Sequence, residues 1–273
     1  IMKKIIAKDS YDLKKIVRDR IAKEGPNTNL CDIDIRNVLS ISSLFHDVDF
    51  NGDISEWNTS NVLDMSYLFT TSTFNGDISR WDTRNVIVMD CMFQGSQFKG
   101  DISKWNTSKV RCMRGLFENS VFNGDISKCD THSVEDMYGM FQNSIFTGDI
   151  GDWNTSNVRS LCWTFAYSEF NGNIGKWNTS EVIDMSGSFC YSKFNQDIGD
   201  WDTRKVEIME QLFSFSNFNQ DIGDWKIDRL KYIGNIFQSN KVFNYNLYRW
   251  TIQRPNLCYE TAIKPSLLVY DPI

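Results

Sequence analysis

The chain has 273 residues, of which 41% are hydrophobic and 23% are charged, and its formal net charge is −6. This acidic balance disfavours nucleic-acid binding through phosphate contacts, because such binding needs a cationic surface. The sequence also has no apolar run that approaches the roughly 20 residues of a membrane-spanning helix. We therefore expect a folded protein that neither binds nucleic acid nor spans a membrane.

The first predicted element is a helix within residues 7–25. Its apolar residues recur at helical spacing, Asp and Ser precede them, and Gly25 follows them, as is typical of a helix start and stop. These apolar residues are Leu13, Ile16, Val17 and Ile21. We expect a cap over residues 1–36, built of a strand and this helix, that covers the front of the structure that follows.

A 24-residue repeat occupies residues 37–252 in about nine copies. The stretch FNGDISEWNTSNVLDMSYLF at residues 50–69 returns as FNGDISRWDTRNVIVMDCMF at residues 74–93. Two ladders of Phe and one of Trp, each with one residue per copy, hold 18 of the 19 Phe and 8 of the 9 Trp. The ladders begin at Phe45, Phe50 and Trp57, and Cys129 interrupts the Trp ladder. Aromatic residues are thus predicted to build the core.

Two patterns within one copy predict its local structure. Over residues 56–60, Trp57 and Thr59 alternate with polar residues, which predicts a short strand with these two side chains inward. Over residues 62–69, apolar residues are spaced three and four apart, which predicts one or two helical turns.

A strand followed by a helical crossover to a parallel neighbour is nearly always right-handed. We therefore expect an α/β repeat solenoid, with right-handed coils of 24 residues that resemble leucine-rich repeats and a parallel sheet on one face. Each copy needs neighbours to bury its apolar side chains, so the ends of the array need caps. Residues 253–273 lose the repeat and are predicted to form the C-terminal cap.

The repeat F-N-x-D-I-S/G-x-W-D/N-T-S-x-V-x-x-M-x-x-x-F resembles that of the BspA-like leucine-rich-repeat proteins. It is most similar to the branch known from mycoplasma lipoproteins and surface proteins, which have repeats of about 25 residues. The resemblance covers about residues 37–252. It implies that the Phe, Asp, Ile, Trp, Thr, Val and Met ladders are scaffold residues and that the protein is a binding scaffold, without naming a partner. Family members are often surface-exposed, but the start of this sequence shows neither a secretion signal nor a lipidation signal, so we expect a cytoplasmic location.

Residues that could carry chemistry are better interpreted as structural. One Asp or Asn per copy, beginning at Asp53, lacks the dense set of oxygen ligands that Ca²⁺ needs, and it is interpreted as a cap for turn amides. Cys129 and His132 are predicted to face opposite sides of the chain, so they do not form a nucleophile–base pair. The seven cysteines suggest reduced thiols. We expect no cofactor and no bound metal.

The outward residues of the predicted strand are the candidate binding surface. Neighbouring copies carry cations early in the array and acids late in the array, and folding does not require like charges to stack. The predicted partner-binding residues are Arg80, Arg84, Lys104, Lys128, Asp200, Asp202 and Asp224. The function expected from them is a non-enzymatic interaction module, monomeric or weakly oligomeric, that recognises an unidentified protein or, alternatively, a glycan.

Two other functions stay open at this point. One is a structural spacer or assembly subunit that stacks end to end. The other, which the sequence disfavours, is a hydrolase that uses the clustered acids Asp200, Asp202 and Asp224. In addition, Trp163 and Phe215 lie outside the aromatic ladders, where they would form a contact patch if exposed or additional core if buried.

Overall fold

The computed structural model describes residues 4–253 and 265–268. Its regular elements are strand β1 (Ile5–Ile6), helix α1 (Ser10–Glu24), strand β2 (Ile33–Asp34), helix α2 (Tyr248–Gln253) and a 3₁₀ helix (Pro265–Leu268). Strands β1 and β2 pair in parallel, with Ile5 opposite Ile33. Most of the predicted C-terminal cap, residues 253–273, lies outside the described residues.

Helix α1 forms where the apolar spacing predicts it. The Asp9 carboxylate caps its start by accepting the Asp12 amide at 2.8 Å. The Gly25 amide donates to the Ile21 carbonyl at its end, and Gly25 has a φ of 90° that favours glycine. Leu13 and Val17 are buried and belong to the same core as the repeats, so α1 covers the first copy.

Between the terminal elements, the 24-residue copies stack on one another through backbone hydrogen bonds. The Met65 amide donates to Val88 in the next copy at 3.0 Å, and the Phe69 amide donates to Met92 at 2.9 Å. Parallel bridges join equivalent residues of consecutive copies, from Ser40 and Asp64 onward to Ile208 and Tyr232. The stacking therefore satisfies backbone groups that burial would otherwise leave without partners.

The predicted local elements of the repeat are wrong. At residues 56–60 the structure has an irregular segment between two turns in place of a strand, and the Asn58 side chain accepts the Ser60 amide at 3.1 Å at the second turn. Over residues 62–69 it has the bridge residue Asp64 and then turns from residue 66 onward in place of helical turns, since Tyr67 and the following Thr71 have positive φ values of 57° and 52°. Two residues in the left-handed conformation, four positions apart in each copy, break the helical path. The backbone hydrogen bonds between copies run through this segment.

The aromatic ladders form the core, as predicted. The rings of Phe50 and Phe74 are parallel within 2°, with centroids 6.0 Å apart, and those of Trp57 and Trp81 are parallel within 6°, with centroids 6.3 Å apart. All the Phe and Trp side chains of the ladders are buried. The ladder continues through Trp250, so the core reaches helix α2.

Candidate interaction surface

One residue per copy points outward at the position of Glu56, and we call this set the outer row. Its members are all exposed: Glu56, Arg80, Lys104, Lys128, Asp152, Lys176, Asp200 and Asp224. Trp57, the next residue along the chain, is buried, so the local turn points the outer-row residue away from the core. Because the copies stack in register, neighbouring outer-row residues lie about one inter-strand spacing apart, roughly 4.8 Å at the backbone.

Four of the seven predicted binding residues belong to this row and form no ion pair with any residue that the structure describes. They are Arg80, Lys104, Lys128 and Asp200. The three cations occupy consecutive copies and are exposed. Their charges are thus available to a partner along one line.

A row of carboxylates lies beside these cations, three residues earlier in each copy. Hydrogen bonds from the amide and hydroxyl of Ser79 lower the pKa of Asp77, and the positive charge of Arg80 lowers it further. Serine hydrogen bonds likewise lower the pKa of Asp101 and of Asp125, with smaller contributions from Lys104 and Lys128. The cationic segment is therefore a pair of oppositely charged rows rather than a uniform positive patch.

Arg84 and Asp202 are predicted binding residues that are held by partners within their own turns. The Arg84 Nε donates to Asp82 at 2.8 Å, and the Arg204 Nε donates to Asp202 at 2.9 Å. The arginine side chain is the main cause of the lowered pKa of each carboxyl group. Both aspartates also accept the amide two residues later, so these pairs stabilise turns.

The groove that Asp202 lines includes neither of the other two acids considered for hydrolysis, Asp200 and Asp224. This surface groove has a volume of about 630 Å³, and four cationic side chains surround Asp202 there together with Glu181 and Asp228. Asp224 forms an ion pair with Arg249 in helix α2. The pKa of Asp202 is lowered, whereas a general acid needs a raised one.

A second exposed feature, which we call the aromatic stack, consists of Tyr167, Tyr191 and Phe215. The centroids of Tyr167 and Tyr191 lie 4.7 Å apart, and those of Tyr191 and Phe215 lie 4.3 Å apart. Phe215 is 40% exposed, so it belongs to a surface patch, whereas Trp163 is half-buried with its ring against Gly187. Sequence reasoning identified Phe215 but missed both tyrosines, although all three recur at a spacing of 24.

The family model described as "Mycoplasma protein of unknown function, DUF285" matches residues 12–121, 92–192 and 160–261. The chain belongs to this family. It is accordingly a tandem-repeat protein, and the family description assigns no function. No curated protein and no solved structure matches the chain. Within residues 4–253 and 265–268, no helix is both long and apolar enough to cross a membrane.

The Asp ladder of this DUF285 chain caps turns. The carboxylate of Asp77 accepts the Ser79 amide at 2.9 Å, and the Asn173 side chain makes the equivalent bond to the Gly175 amide at 3.0 Å. Since the neutral Asn replaces Asp without losing the bond, the position needs an acceptor rather than a charge. Among the described residues, no group of three or more His, Cys, Asp or Glu side chains could hold a metal ion.

Cys129 and His132 lie in different environments. Cys129 lines an internal cavity, and burial raises the pKa of its thiol to about 11, which keeps the nucleophilic thiolate scarce near neutral pH. His132 is exposed, with Nδ1 2.7 Å from an Asp130 carboxylate oxygen. The arrangement supports a structural role for Cys129.

Proposed function

We propose that this chain is a non-enzymatic interaction scaffold that recognises a protein partner through the outer row. The observation that carries the proposal is the line of exposed cations at Arg80, Lys104 and Lys128, which lack ion pairs among the described residues and are held on a fixed backbone frame. Asp200 places negative charge farther along the same line, whereas Asp224 beyond it is paired with Arg249. A partner that presents a negative charge opposite each cation of the outer row and a positive charge opposite Asp200 would bind in a single register.

A protein partner suits this surface better than a neutral glycan. Charges spaced one per copy offer electrostatic complementarity, which sets specificity and association rate. The row of carboxylates that includes Asp77, beside Arg80, adds hydrogen-bond acceptors to this surface. The surface can therefore bind both cationic and anionic groups of a protein partner. Binding of this kind weakens as salt screens the charges.

We also propose that the stack of copies is a right-handed solenoid of the leucine-rich-repeat type, related to the BspA-like proteins. The parallel bridges between equivalent residues 24 apart support this architecture. Each pair of neighbouring copies shares one such bridge, at the position of Asp64, and further backbone hydrogen bonds such as Met65 to Val88 and Phe69 to Met92. The proposed location is the cytoplasm, because cysteines at five different repeat positions cannot form a disulfide ladder.

The spacer alternative requires open ends, and contacts at both ends disfavour it. At the front, α1 packs Leu13 and Val17 into the core. At the back, the Leu247 amide donates to the Leu267 carbonyl at 2.7 Å, and Leu268 is buried. These contacts support a scaffold that acts through its side rather than its ends.

The proposal is tested by capture of partners from an extract of the source cells. The outer-row variant carries Arg80→Gln, Lys104→Gln and Lys128→Gln. The matched control carries Arg111→Gln, Lys193→Gln and Lys231→Gln, which are exposed and engaged in ion pairs elsewhere on the repeats. Both variants lose three positive charges, and each must keep the wild-type circular dichroism spectrum and cooperative melting.

We expect the wild type and the control to capture the same protein, and the outer-row variant to lose it. Capture by wild type should also weaken at high salt. Equal loss of capture in both variants would show that the interaction depends on the net charge of the chain rather than on the outer row. Undiminished capture by the outer-row variant would contradict the proposal.

A further inference from the structure

Every indole of the Trp ladder occupies the same bonded position. The Nε1 of Trp105 donates to Ile78 at 3.1 Å, and the Nε1 of Trp153 donates to Ile126 at 3.1 Å, in each case to a carbonyl 27 residues earlier. The same bond recurs at the other ladder tryptophans, Trp57, Trp81, Trp177, Trp201, Trp225 and Trp250. Each copy is thus built to hold one indole.

The exception is the copy in which Cys129 replaces Trp. The carbonyl that an indole would reach from this position is that of Ile102. It accepts the Trp105 amide at 3.1 Å, as its counterparts do, but within the described part of the chain it receives no indole N–H. One acceptor site of the ladder is therefore left without its usual donor.

A cavity of about 20 Å³ lies at this position. Trp105 and Trp153 flank it along the ladder, and Phe117 and Met140 are among the apolar residues that line it. Trp105 and Trp153 are 6% and 5% exposed, whereas Cys129 is half-buried, so the cavity lies close to the surface at Cys129. Its apolar lining offers too few polar partners to hold an ordered water well.

We propose that this cavity binds an indole group between Trp105 and Trp153, with the ring N–H donating to the Ile102 carbonyl. The cavity is lined by no outer-row residue, although Lys128 directly precedes Cys129. The indole group could belong to free indole or to a tryptophan side chain of a peptide, and both present the same ring and the same donor.

The surrounding side chains match the contacts that an indole makes elsewhere in the ladder. The ring centroids of Trp153 and Phe141 lie 6.2 Å apart, with an interplanar angle of 30°. Phe117 holds the repeat position of Phe141 one copy earlier, and it lines the cavity. The cavity itself is smaller than an indole, so entry requires side chains to move. Three methionines line it, Met89, Met113 and Met140, and their unbranched, flexible side chains adapt readily.

Binding is measured by isothermal titration calorimetry and thermal shift on the full chain, with indole as the probe. We expect saturable binding of one indole and a rise in melting temperature for the wild type. Cys129→Trp fills the site with the chain's own indole and should abolish both effects. Cys129→Leu, which fills the cavity with a smaller apolar side chain, takes its place if the Trp variant fails to fold.

Benzofuran tests the hydrogen bond, because it keeps the shape of indole but replaces the N–H donor by oxygen. We expect it to bind about tenfold more weakly than indole, equivalent to about 1.4 kcal/mol. N-acetyltryptophanamide separates the two sources: binding comparable to that of indole indicates a peptide side chain, and binding of indole alone indicates the free molecule. Absence of indole binding to the wild type, or equal binding to both filled variants, would overturn the proposal. Equal affinity for benzofuran would overturn the role of Ile102.

Discussion

The hydroxyl of Thr155 donates to the carbonyl of Asn178 in the next copy at 3.0 Å, and Thr155 is 1% exposed. The same bond links consecutive copies at the other described threonines of this position, which are Thr59, Thr83, Thr107, Thr131, Thr179 and Thr203. From Thr59 to Thr203, a buried polar side chain thus joins one copy to the next, whereas Ile35 and Ile227 hold this position at the two ends. This bond explains why the position holds Thr rather than the similarly shaped Val.

Thr155→Val should lower the free energy of unfolding by about 1–2 kcal/mol, because it leaves the Asn178 carbonyl without its donor in a partly buried site. Urea denaturation followed by circular dichroism measures the change. Thr147→Val is the control, since Thr147 is exposed and its hydroxyl accepts only a solvent-exposed bond from Asn123 at 3.3 Å, so it should change stability by less than about 0.5 kcal/mol. Equal effects of the two substitutions would show that the bond between copies contributes nothing.

Cys129→Trp should stabilise the fold by about 1–3 kcal/mol, since it fills the cavity and restores a hydrogen bond to the Ile102 carbonyl. The midpoint of chemical denaturation measures this gain. A loss of stability would mean that the site is too tightly closed for an indole and that the new side chain overpacks the core.

Gly139→Ala should destabilise the protein by about 1–2 kcal/mol. Gly139 has a φ of 61°, and a Cβ there would meet only the Gln142 side chain, from 3.3 Å outward, so the cost comes from the left-handed backbone. Gln211, at the same repeat position with a φ of 57°, gives the converse test. Gln211→Gly should preserve or raise the free energy of unfolding, and a loss as large as that of Gly139→Ala would contradict the backbone explanation.

The buried thiols predict a loss of stability at alkaline pH. Burial raises the pKa of Cys190 from 9.0 to about 11, so the folded state keeps the proton that the unfolded state releases. The resulting stability is complete below about pH 9 and is lost as the pH rises toward about 11. Cys190→Ala should flatten the fall in melting temperature across this range. An unchanged slope in the variant would show that Cys190 does not titrate differently in the two states.

The sequence was sufficient to predict the repeat, its core and the outward residues, because burial imposes the same side chain on every copy. Phe69 and Trp57 could therefore be assigned inward without any structure. The predicted strand at residues 56–60 and the predicted helical turns at residues 62–69 were wrong for a physical reason. An inward–outward alternation over residues 56–60 does not require a strand, and the positive φ at the Tyr67 position is marked by glycine in only some copies, such as Gly139.

The candidate surface was predicted in part. Exposure of Arg80 and Lys104 followed from their repeat position, but the pairing of Asp202 with Arg204 depends on a turn that the strand interpretation excluded. The stacking of Tyr191 on Phe215 required the register of the copies in three dimensions. The missing indole donor to the Ile102 carbonyl also needed the structure, since only the hydrogen bonds of the other copies show what Trp does at this position.

The most direct test of the proposed recognition surface is site-specific photo-crosslinking in an extract of the source cells. A photoreactive residue replaces Lys104 in the outer row or, as a control, Ile145, which is 50% exposed outside that row. We expect one crosslinked protein at position 104, lost when Arg80 and Lys128 are neutralised, and none at position 145. Crosslinking at position 145 with none at position 104 would contradict it.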